Sequence, residues 1–566
     1  MAQERAKVPV VNIKFERLNK LIPGVKIDKV LDMLPFVALD IEGIEKDVVR
    51  VEYNPNRPDF SSDYGVARAM RGLLEIETGM PKFRLAGKSG VVVTVEAAVR
   101  KIRPYVVAFV AKNGRLDDET LKQLIVMQED LHNGVGRKRK RASIGIHNLD
   151  LIKFPVTYKT VRGDYSFRPL DEPSEFSISQ ILNNLEIGKQ YGHILSGFDR
   201  YPLMVDSAGL VLSLPPIING QATKVNDECR NLFVEVTSTD QKTAEDLLAI
   251  LAITLYDAGF EIKTVSIHST KRKIETPHVK PRVISADIGY LNSILGLTLD
   301  SRQIITCLKK SRLDAKAVAN KIICTIPRYR VDISDAIDIS EEVAIGYGIY
   351  NFEPKFPNSP TAGKKDSLFI TFDAIRETMI GLGMMESLSF LLTSKEVQYK
   401  AFGVPAKEEV SVEGSKSTEH EILPNSLVPL LLQSLSYNIH EQYPQRLFEI
   451  GKTFVKSTST IEERWSIGAV VAHADSSYTS IKSTMEALLR SCFGKEASTR
   501  ASTNYMFMEG RCAEVVLDDK AIGVLGEIIP LAVENFKLRV PVAAFELDLL
   551  AIIKDKYQDL KDKVPR

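Results

Sequence analysis

The feature of this sequence that most limits its possible folds is a proline-rich segment at residues 353–365, with three prolines between residues 354 and 360. Proline lacks a backbone N–H and fixes φ, so neither a helix nor an inner strand continues through such a segment. Two further turn-rich segments, residues 79–90 and 269–281, interrupt the chain upstream. The 566 residues also exceed the about 300 that one core usually supports. The breaks predict domains over residues 1–88, 89–272, 275–350 and 361–566.

The charge balance excludes a strongly basic surface, because 74 basic residues face 73 acidic residues and the formal net charge is +1. Contacts with nucleic acid must therefore come from local patches. The five cysteines form no Cys-x-x-Cys pair, which favours a reducing compartment over a disulfide framework or a zinc site. No signal-peptide core and no apolar run of ~18 residues is present, so we expect a cytoplasmic protein without membrane contact.

The acidic segment from Asp332 to Glu342 is a candidate metal site. Asp338, Glu341 and Glu342 stand at positions i, i+3 and i+4, and so share one face of a predicted helix. Asp332 lies at the strand-to-helix junction, within reach of them. Clustered carboxylates repel one another unless a cation neutralises them, and oxygen ligands suit Mg²⁺. A solvated helix start with Asp332 as N-cap gives the same pattern and is the commoner case on spacing alone.

A second candidate site lies between residues 211 and 240. Glu235 and Thr237 fall on one face of a predicted strand, because side chains alternate along a strand. A carboxylate and a hydroxyl beside the Pro215-Pro216 turn could line a pocket with a few polar groups. A surface strand with its polar face in water fits the same residues, and on this pattern alone it is the commoner case.

Residues 137–141, Arg-Lys-Arg-Lys-Arg, form the densest basic run of the chain. Contacts with phosphate need only charge, so this run could touch a nucleic acid backbone. A solvated loop needs no partner at all, and the sequence favours neither interpretation.

Six motifs follow one another along the chain, and their collinear order is more specific than any one of them. They are Asn56-Arg57-Pro58-Asp59, Ile144-Gly145-Ile146-His147-Asn148-Leu149-Asp150, Pro215-Pro216-Ile217-Ile218-Asn219-Gly220, Pro327-Arg328-Tyr329-Arg330-Val331-Asp332-Ile333, Phe448-Glu449-Ile450-Gly451 and Glu509-Gly510-Arg511. In this order they resemble the β chain of phenylalanyl-tRNA synthetase of the archaeal and eukaryotic-cytosolic type. The resemblance covers nearly the whole chain.

The resemblance implies an α+β multidomain fold. Its parts are an N-terminal α+β domain, an editing domain, a small winged-helix-like domain with the acidic cluster, and a C-terminal class II synthetase-like domain with an antiparallel sheet. The last is expected to be catalytically silent, since it lacks Phe-Arg-x-Glu and a Gly-x-Gly before an arginine. This chain then has no catalytic residue for aminoacylation. The α subunit, two copies of which join two β chains, activates phenylalanine with ATP and transfers it to tRNA(Phe).

The resemblance also implies an editing pocket formed by Ser213, Asn219, Glu235 and Thr237. A site that selects phenylalanine cannot strongly reject tyrosine, which only adds a hydroxyl. A second site that hydrogen-bonds this hydroxyl can select tyrosyl-tRNA(Phe) and hydrolyse it, with Glu235 as the acceptor. The sequence shows no evident nucleophile or histidine base beside these residues. A scaffold or RNA-binding paralogue that has lost editing is the alternative.

Within the family, Mg²⁺ shared with the α subunit falls on the acidic segment. The matching positions are Asp332, Asp338, Glu341 and Glu342, whereas Asp335 is not one of them. The resemblance therefore implies a structural ion at the junction with α and places any chemistry of this chain upstream, near Ser213 to Thr237.

Overall fold

The computed structural model describes residues 8–270, 272–357, 362–406, 409–415, 417–457 and 460–553. The chain divides into two compact units, Met1–Lys355 and Phe356–Arg566. Lys271 in one predicted linker, residues 358–361 in the proline-rich segment, and the outer ends of the predicted segments 1–88 and 361–566 lie outside the described residues. The finer division into four domains stays a prediction. Within the described ranges, no helix is long and apolar enough to cross a membrane.

The first unit begins with a three-stranded antiparallel sheet in the order β1-β3-β2 and three helices that share one apolar core with it. The elements are β1 (Val10–Lys14), α1 (Phe15–Leu21), α2 (Ile27–Met33), β2 (Leu39–Glu45), β3 (Val48–Tyr53) and α3 (Asp63–Leu73). The N-cap of α3 is Ser62, whose Oγ accepts a hydrogen bond from the Gly65 amide at 3.3 Å. The neighbouring Ser61 is also a common N-cap residue type, but its hydroxyl donates to the Pro58 carbonyl at 2.7 Å.

A ten-stranded mixed sheet dominates the first unit, in the order β12-β11-β10-β7-β4-β14-β5-β13-β6 with β15 beside β14. Its strands are β4 (Lys88–Val95), β5 (Tyr105–Lys112), β6 (Ala142–Asn148), β7 (Val156–Val161), β10 (Tyr201–Val205), β11 (Val211–Leu214), β12 (Ile218–Asn219), β13 (Leu232–Ser238), β14 (Glu261–Ser269) and β15 (Lys273–Thr276). The accompanying elements are α4 (Asp118–Asn133), β8 (Ser166–Phe167), β9 (Phe176–Ser177), α5 (Ile178–Asn184), α6 (Glu186–Tyr191) and α7 (Gln241–Asp257).

Alternation along β5 explains why this sheet is buried on both faces. Val107 and Phe109 pack into the core formed with α4 and α7, whereas Val106 and Val110 pack into a second core. Because successive side chains point to opposite faces, a continuous apolar strand such as β5 must be covered twice. Strand β13 is fully buried for the same reason, which places its polar residue Glu235 in the interior.

A smaller part follows within the first unit, with a three-stranded sheet in the order β16-β18-β17 and three helices. Its elements are β16 (Arg282–Asp287), α8 (Ile288–Leu295), α9 (Ser301–Lys310), β17 (Asp314–Val318), β18 (Lys321–Ile326) and α10 (Ala336–Tyr347). Strand β18 stops at Ile326 because Pro327 cannot extend the hydrogen-bond ladder. Helix α10 packs so closely on α9 that a Cβ at Gly346 would lie 2.1 Å from the Cys307 carbonyl oxygen.

The second unit has a seven-stranded sheet in the order β19-β22-β23-β27-β26-β25-β24, antiparallel except for the parallel pair β19-β22. Its elements are α11 (Ser367–Gly381), β19 (Met385–Glu386), α12 (Lys395–Gln398), β20 (Val410–Ser411), β21 (Ile422–Leu423), α13 (Val428–Tyr437), β22 (Gln445–Lys456), β23 (Ile461–Ala472), α14 (Tyr478–Phe493), β24 (Ser498–Ala501), β25 (Phe507–Leu517), β26 (Lys520–Ile528), α15 (Pro530–Asn535) and β27 (Val542–Asp548). The predicted α+β multidomain class is confirmed.

Short 3-10 helices complete the described structure. They are Leu34–Val37, Pro58–Phe60, Ala97–Lys101, Leu149–Leu151, Gly192–Leu195, Gln221–Thr223, Ile349–Asn351 and Lys400–Phe402.

We expect Gly346→Ala to destabilise the chain, although alanine is normally the better helix residue. The added methyl group overlaps the Cys307 carbonyl, and such overpacking costs about 1–3 kcal/mol. Gly381→Ala is the matched control, since nothing lies within 4 Å of a Cβ at this helix position. Urea unfolding measures both, and equal stability of the two variants would contradict the close packing of α9 on α10.

Candidate active site

A cavity of about 510 Å³ lies where strands β6, β11, β12 and β13 meet helix α4. Its apolar lining consists of Leu121, Leu124, Ile125, Ile144, Ile146, Leu170, Ile187, Leu214, Pro215, Pro216, Ile217, Ile218 and Val225. Polar side chains line it at Gln128, Glu129, His132, Arg139, Asp171, Ser143, Ser213, Asn219, Thr223, Lys224 and Glu235. An apolar cavity with a few polar groups is the usual form of a small-molecule site.

Three of the four predicted pocket residues lie together in this cavity. Ser213 on β11, Asn219 on β12 and Glu235 on β13 all line it. Thr237 does not line it. Its hydroxyl lies 2.9 Å from that of Ser143 and accepts a hydrogen bond from Arg103 at 3.0 Å. Thr237 therefore supports the framework behind the cavity.

Glu235 is the most unusual polar group of the cavity because its carboxylate is only half satisfied. Oε1 accepts a hydrogen bond from the Ser213 hydroxyl at 3.0 Å, whereas the buried Oε2 has no partner. A buried polar atom without a hydrogen bond costs about 1–3 kcal/mol. Such an atom in a cavity wall is a place where a ligand that donates a hydrogen bond gains affinity.

His147 stands behind Glu235 and was missed from the sequence. Its Nε2 lies 4.0 Å from Glu235 Oε1 and has no hydrogen-bond partner, while its Nδ1 lies 2.9 Å from the Thr223 hydroxyl. A Cβ at Gly145 would lie 2.4 Å from Glu235 Oε1 and 2.6 Å from His147 Nε2. Only glycine therefore leaves room for both groups. The signal was present in the Ile-Gly-Ile-His motif, but pairing Gly145 opposite Glu235 needed the strand register.

The basic run forms a tight turn beside the cavity, and we call residues 134–141 the basic turn. Arg137, Lys138 and Arg139 have φ angles of 50°, 52° and 64°, so three consecutive non-glycine residues are left-handed. Each such residue costs about 1–2 kcal/mol. Contacts made by buried side chains must therefore hold the turn in this conformation.

Two arginines hold the basic turn. Arg139 is buried, donates from Nη1 to the Ile217 carbonyl at 2.8 Å, and pairs with Glu129 at 2.7 Å. Arg103, also buried, donates to the carbonyls of Arg139 and Lys140 at 3.2 and 3.3 Å. Burial lowers the pKa of Arg103 to about 10, although the nearby Tyr158 and Glu235 oppose this shift. The hydrogen bonds that its guanidinium donates within the described residues go to carbonyl and hydroxyl oxygens.

The acidic segment is organised around Arg330. Its guanidinium donates to Asp332 Oδ2 at 2.7 Å and also pairs with Glu342. Burial opposes ionisation of Asp332, but Arg330 and then Arg57 outweigh it and lower the pKa of this carboxyl. Arg57 lies 3.9 Å from Asp332 and bonds Asp59 at 2.9 Å, which ties the Asn-Arg-Pro-Asp motif to this segment.

The other two predicted metal ligands are also engaged differently from the prediction. Asp338 accepts the amides of Ser334 and Asp335 at 2.6 and 3.0 Å in a capping box, and Asp335, not Asp332, is the N-cap of α10. Partial burial, and then the neighbouring Glu342, raise the pKa of the Glu341 carboxyl, although much of this residue is exposed. In the part of the chain that the structure describes, no three acidic, histidine or cysteine side chains are grouped to hold a metal. The Mg²⁺ site, which the family resemblance places between this chain and the α subunit, stays a prediction.

Comparison with known proteins identifies the class of this chain. The model of the tRNA synthetase B5 domain matches residues 284–349, and the model of the CLM domain of the phenylalanyl-tRNA synthetase beta chain matches residues 353–549. An N-terminal fragment of the phenylalanyl-tRNA synthetase beta subunit from Pyrococcus horikoshii superposes with a TM-score of 0.58 at 32% identity, over 60% of this chain and 99% of the fragment. The fold and its domains thus define an aminoacyl-tRNA synthetase chain.

Curated relatives make the assignment more specific. The phenylalanine–tRNA ligase beta subunit of Archaeoglobus fulgidus is 40% identical over 96% of this chain and 98% of its own length. That of Methanocaldococcus jannaschii is 37% identical over 96% of this chain and its own full length. This chain belongs to the family of phenylalanine–tRNA ligase β subunits, and the resemblance seen in the sequence is confirmed.

We expect Arg330→Gln to destabilise the chain at neutral pH by about 3–5 kcal/mol, because it removes the cation that two buried carboxylates share and leaves Asp332 only the more distant Arg57. In the native chain Asp332, with its lowered pKa, contributes stability above its ordinary pKa of about 3.9 and loses it as pH falls through the lower folded value. The variant should show the opposite slope, since its unpaired carboxylates gain from protonation.

Urea unfolding at pH 7, pH 4.5 and pH 3 measures both slopes, because native Asp332 loses its contribution only below about pH 3.9. Arg50→Gln is the matched control, because its pair with Glu42 is about 40% exposed and is expected to change stability by at most about 1 kcal/mol. A loss for Arg330→Gln as small as that of the control would show that Arg330 does not hold the acidic segment.

Proposed function

We propose that this chain is the editing subunit of a phenylalanine–tRNA ligase and hydrolyses tyrosyl-tRNA(Phe) in the cavity around Glu235. The observation that supports this most directly is the buried Oε2 of Glu235, a residue that lines the cavity, because this atom has no hydrogen-bond donor among the described residues. The phenol hydroxyl of tyrosine supplies such a donor, and phenylalanine has none. Phenylalanine in this cavity would leave the carboxylate oxygen buried and unpaired, and sites of this kind discriminate by about 10⁴–10⁵.

The residues around Glu235 fix the orientation of its carboxylate. The Ser213 hydroxyl occupies Oε1, so Oε2 is the oxygen left for the substrate. Gly145 leaves the space that the carboxylate needs, and the apolar walls hold the aromatic ring. Hydrolysis breaks the ester between the tyrosyl carbonyl and the terminal ribose, with water as the nucleophile, and releases tyrosine and tRNA. We propose that the attacking water is positioned by the cavity and by the bound tRNA rather than activated by a serine–histidine pair.

Glu235→Gln tests this function. The amide keeps the size of the side chain but loses its charge. Its NH₂ group can also turn toward the phenol hydroxyl, and this group donates hydrogen bonds instead of accepting them. We expect hydrolysis of tyrosyl-tRNA(Phe) by the complex with α to fall about 10²–10³-fold, a size typical for loss of a charged hydrogen-bond partner in a site. Aminoacylation with phenylalanine should not change, because we place that reaction on the α subunit.

Glu261→Gln, an exposed change in the same unit, is the control for this experiment. Wild-type hydrolysis that survives in Glu235→Gln would exclude this cavity as the tyrosine site. An absence of hydrolysis in the wild-type complex would favour the scaffold alternative.

We also propose that an exposed apolar face of the second unit binds the α subunit, as the β-subunit role requires. Leu388 and Phe390 are 82% and 81% exposed, Met385 is 69% exposed, and Ile370 and Ile380 on α11 are more than half exposed. These five exposed side chains lie within 21 consecutive residues, and large exposed apolar patches mark interfaces in soluble proteins. Two such β chains with two α chains form the expected assembly.

Leu388→Ser combined with Phe390→Ser should weaken association with α more than tenfold, since central aromatic and aliphatic residues dominate interface energies. Light scattering of the mixed subunits measures the assembly. The control is Tyr437→Ser, which removes an equally exposed aromatic side chain from α13 of the same unit. Full assembly of the double variant would place the α interface elsewhere.

A further inference from the structure

The basic turn carries more positive charge than its local structure needs. It follows the C-terminus of α4, where cations often compensate the helix dipole. Here the last carbonyls are already satisfied by backbone amides: Leu131 accepts from Gly136 at 2.8 Å, and Asn133 from Lys138 at 3.3 Å. The cationic side chains are therefore not required to end the helix.

Three charges of the basic turn are uncompensated. Arg139 pairs with Glu129 and Arg141 with Asp240, whereas the exposed side chains of the other three residues have no hydrogen-bond or ion-pair partner within the described ranges. These three are Arg137, Lys138 and Lys140. Three like charges within four residues repel one another unless an anion lies against them.

The turn is also fixed relative to the cavity. Arg139 lines the cavity and bonds the Ile217 carbonyl, which belongs to the wall opposite. Arg103 holds the turn through two of its carbonyls. The three unpaired cations consequently stand on a rigid support beside the cavity, and a preorganised charge cluster loses less entropy on binding than a mobile loop.

We propose that Arg137, Lys138 and Lys140 bind the phosphate backbone of the RNA whose end enters the cavity. This proposal rests on the proposed function, because the ester reaches the cavity only at the end of a polyanion. The contacts need charge and not a particular base, which suits exposed side chains without hydrogen-bond partners. The basic turn would then set how far the RNA end passes the wall toward Glu235.

The test is the triple substitution Arg137→Gln, Lys138→Gln and Lys140→Gln in the full-length chain. With a tRNA(Phe) transcript that bears no amino acid, we expect binding to weaken at least about tenfold at moderate salt. The slope of log affinity against log salt concentration should fall by about two, since each single-strand phosphate contact contributes about 0.7. In hydrolysis of tyrosyl-tRNA(Phe), KM should rise while kcat is retained.

Two further variants distinguish a specific contact from a general loss of charge or of structure. Lys26→Gln, Lys29→Gln and Lys321→Gln remove three exposed charges elsewhere in the same unit and should leave binding within about twofold. Arg137→Lys, Lys138→Arg and Lys140→Arg keep the charge of the turn and should bind as the wild type does. Wild-type binding by the glutamine variant, or equal weakening in the distant control, would overturn the proposal.

The failure of editing would be distinguishable from the failure of this proposal. Binding of the tRNA transcript involves no ester, so it reports on the basic turn even where the wild-type chain does not hydrolyse tyrosyl-tRNA(Phe). Weakened binding of the glutamine variant, with no hydrolysis by the wild type, would support the RNA contact and reject editing. Unchanged binding with active hydrolysis would reject the contact alone.

Discussion

Buried arginines hold the first unit together at points where separate segments meet. Arg68 pairs with Asp257 and Arg17 pairs with Asp63, whereas Arg330 joins Asp332 to Glu342 over a shorter stretch of chain. Each of these three arginine side chains is at most 8% exposed. A buried ion pair contributes little net free energy, but loss of one partner is expensive, so such pairs specify one arrangement of segments and penalise the others. Arg103 does the same for the basic turn with carbonyl oxygens in place of a carboxylate.

This principle changes the meaning of the acidic segment. The sequence left two interpretations of its carboxylates open, a solvated helix start and ligands of Mg²⁺ shared with the α subunit. The folded chain adds an internal cation, because Arg330 stands two residues before Asp332 and its guanidinium pairs with it. The segment therefore acts as a joint between α10 and the Asn-Arg-Pro-Asp turn. Removal of Arg330 tests the joint without any metal.

The sequence predicted what depends on local pattern and missed what depends on register. Period-two alternation put Glu235 and Thr237 on one strand face, but the pattern alone favoured a surface strand, whereas β13 is buried along its whole length. Thr237 lies one repeat of roughly 6.6 Å further along the strand than Glu235 and does not line the cavity. His147 was missed because its approach to Glu235 follows from the pairing of β6 with β13, which joins residues nearly 90 apart in sequence. The sequence pattern offered Asp332 as the N-cap of α10, whereas the N-cap in the structure is Asp335. Both residues are good caps, and only the fold decides between them.

The glycine opposite Glu235 has a consequence for the evolution of translational accuracy. Strand β13 lies beside the edge strand β6 of its sheet, and the proposed proofreading function depends on one position of β6 that has no side chain. A single methyl group at position 145 would overlap the Glu235 carboxylate. Under the functions proposed above, a lineage could lose fidelity for one amino acid and retain the assembly, because the two properties would depend on different residues of this chain.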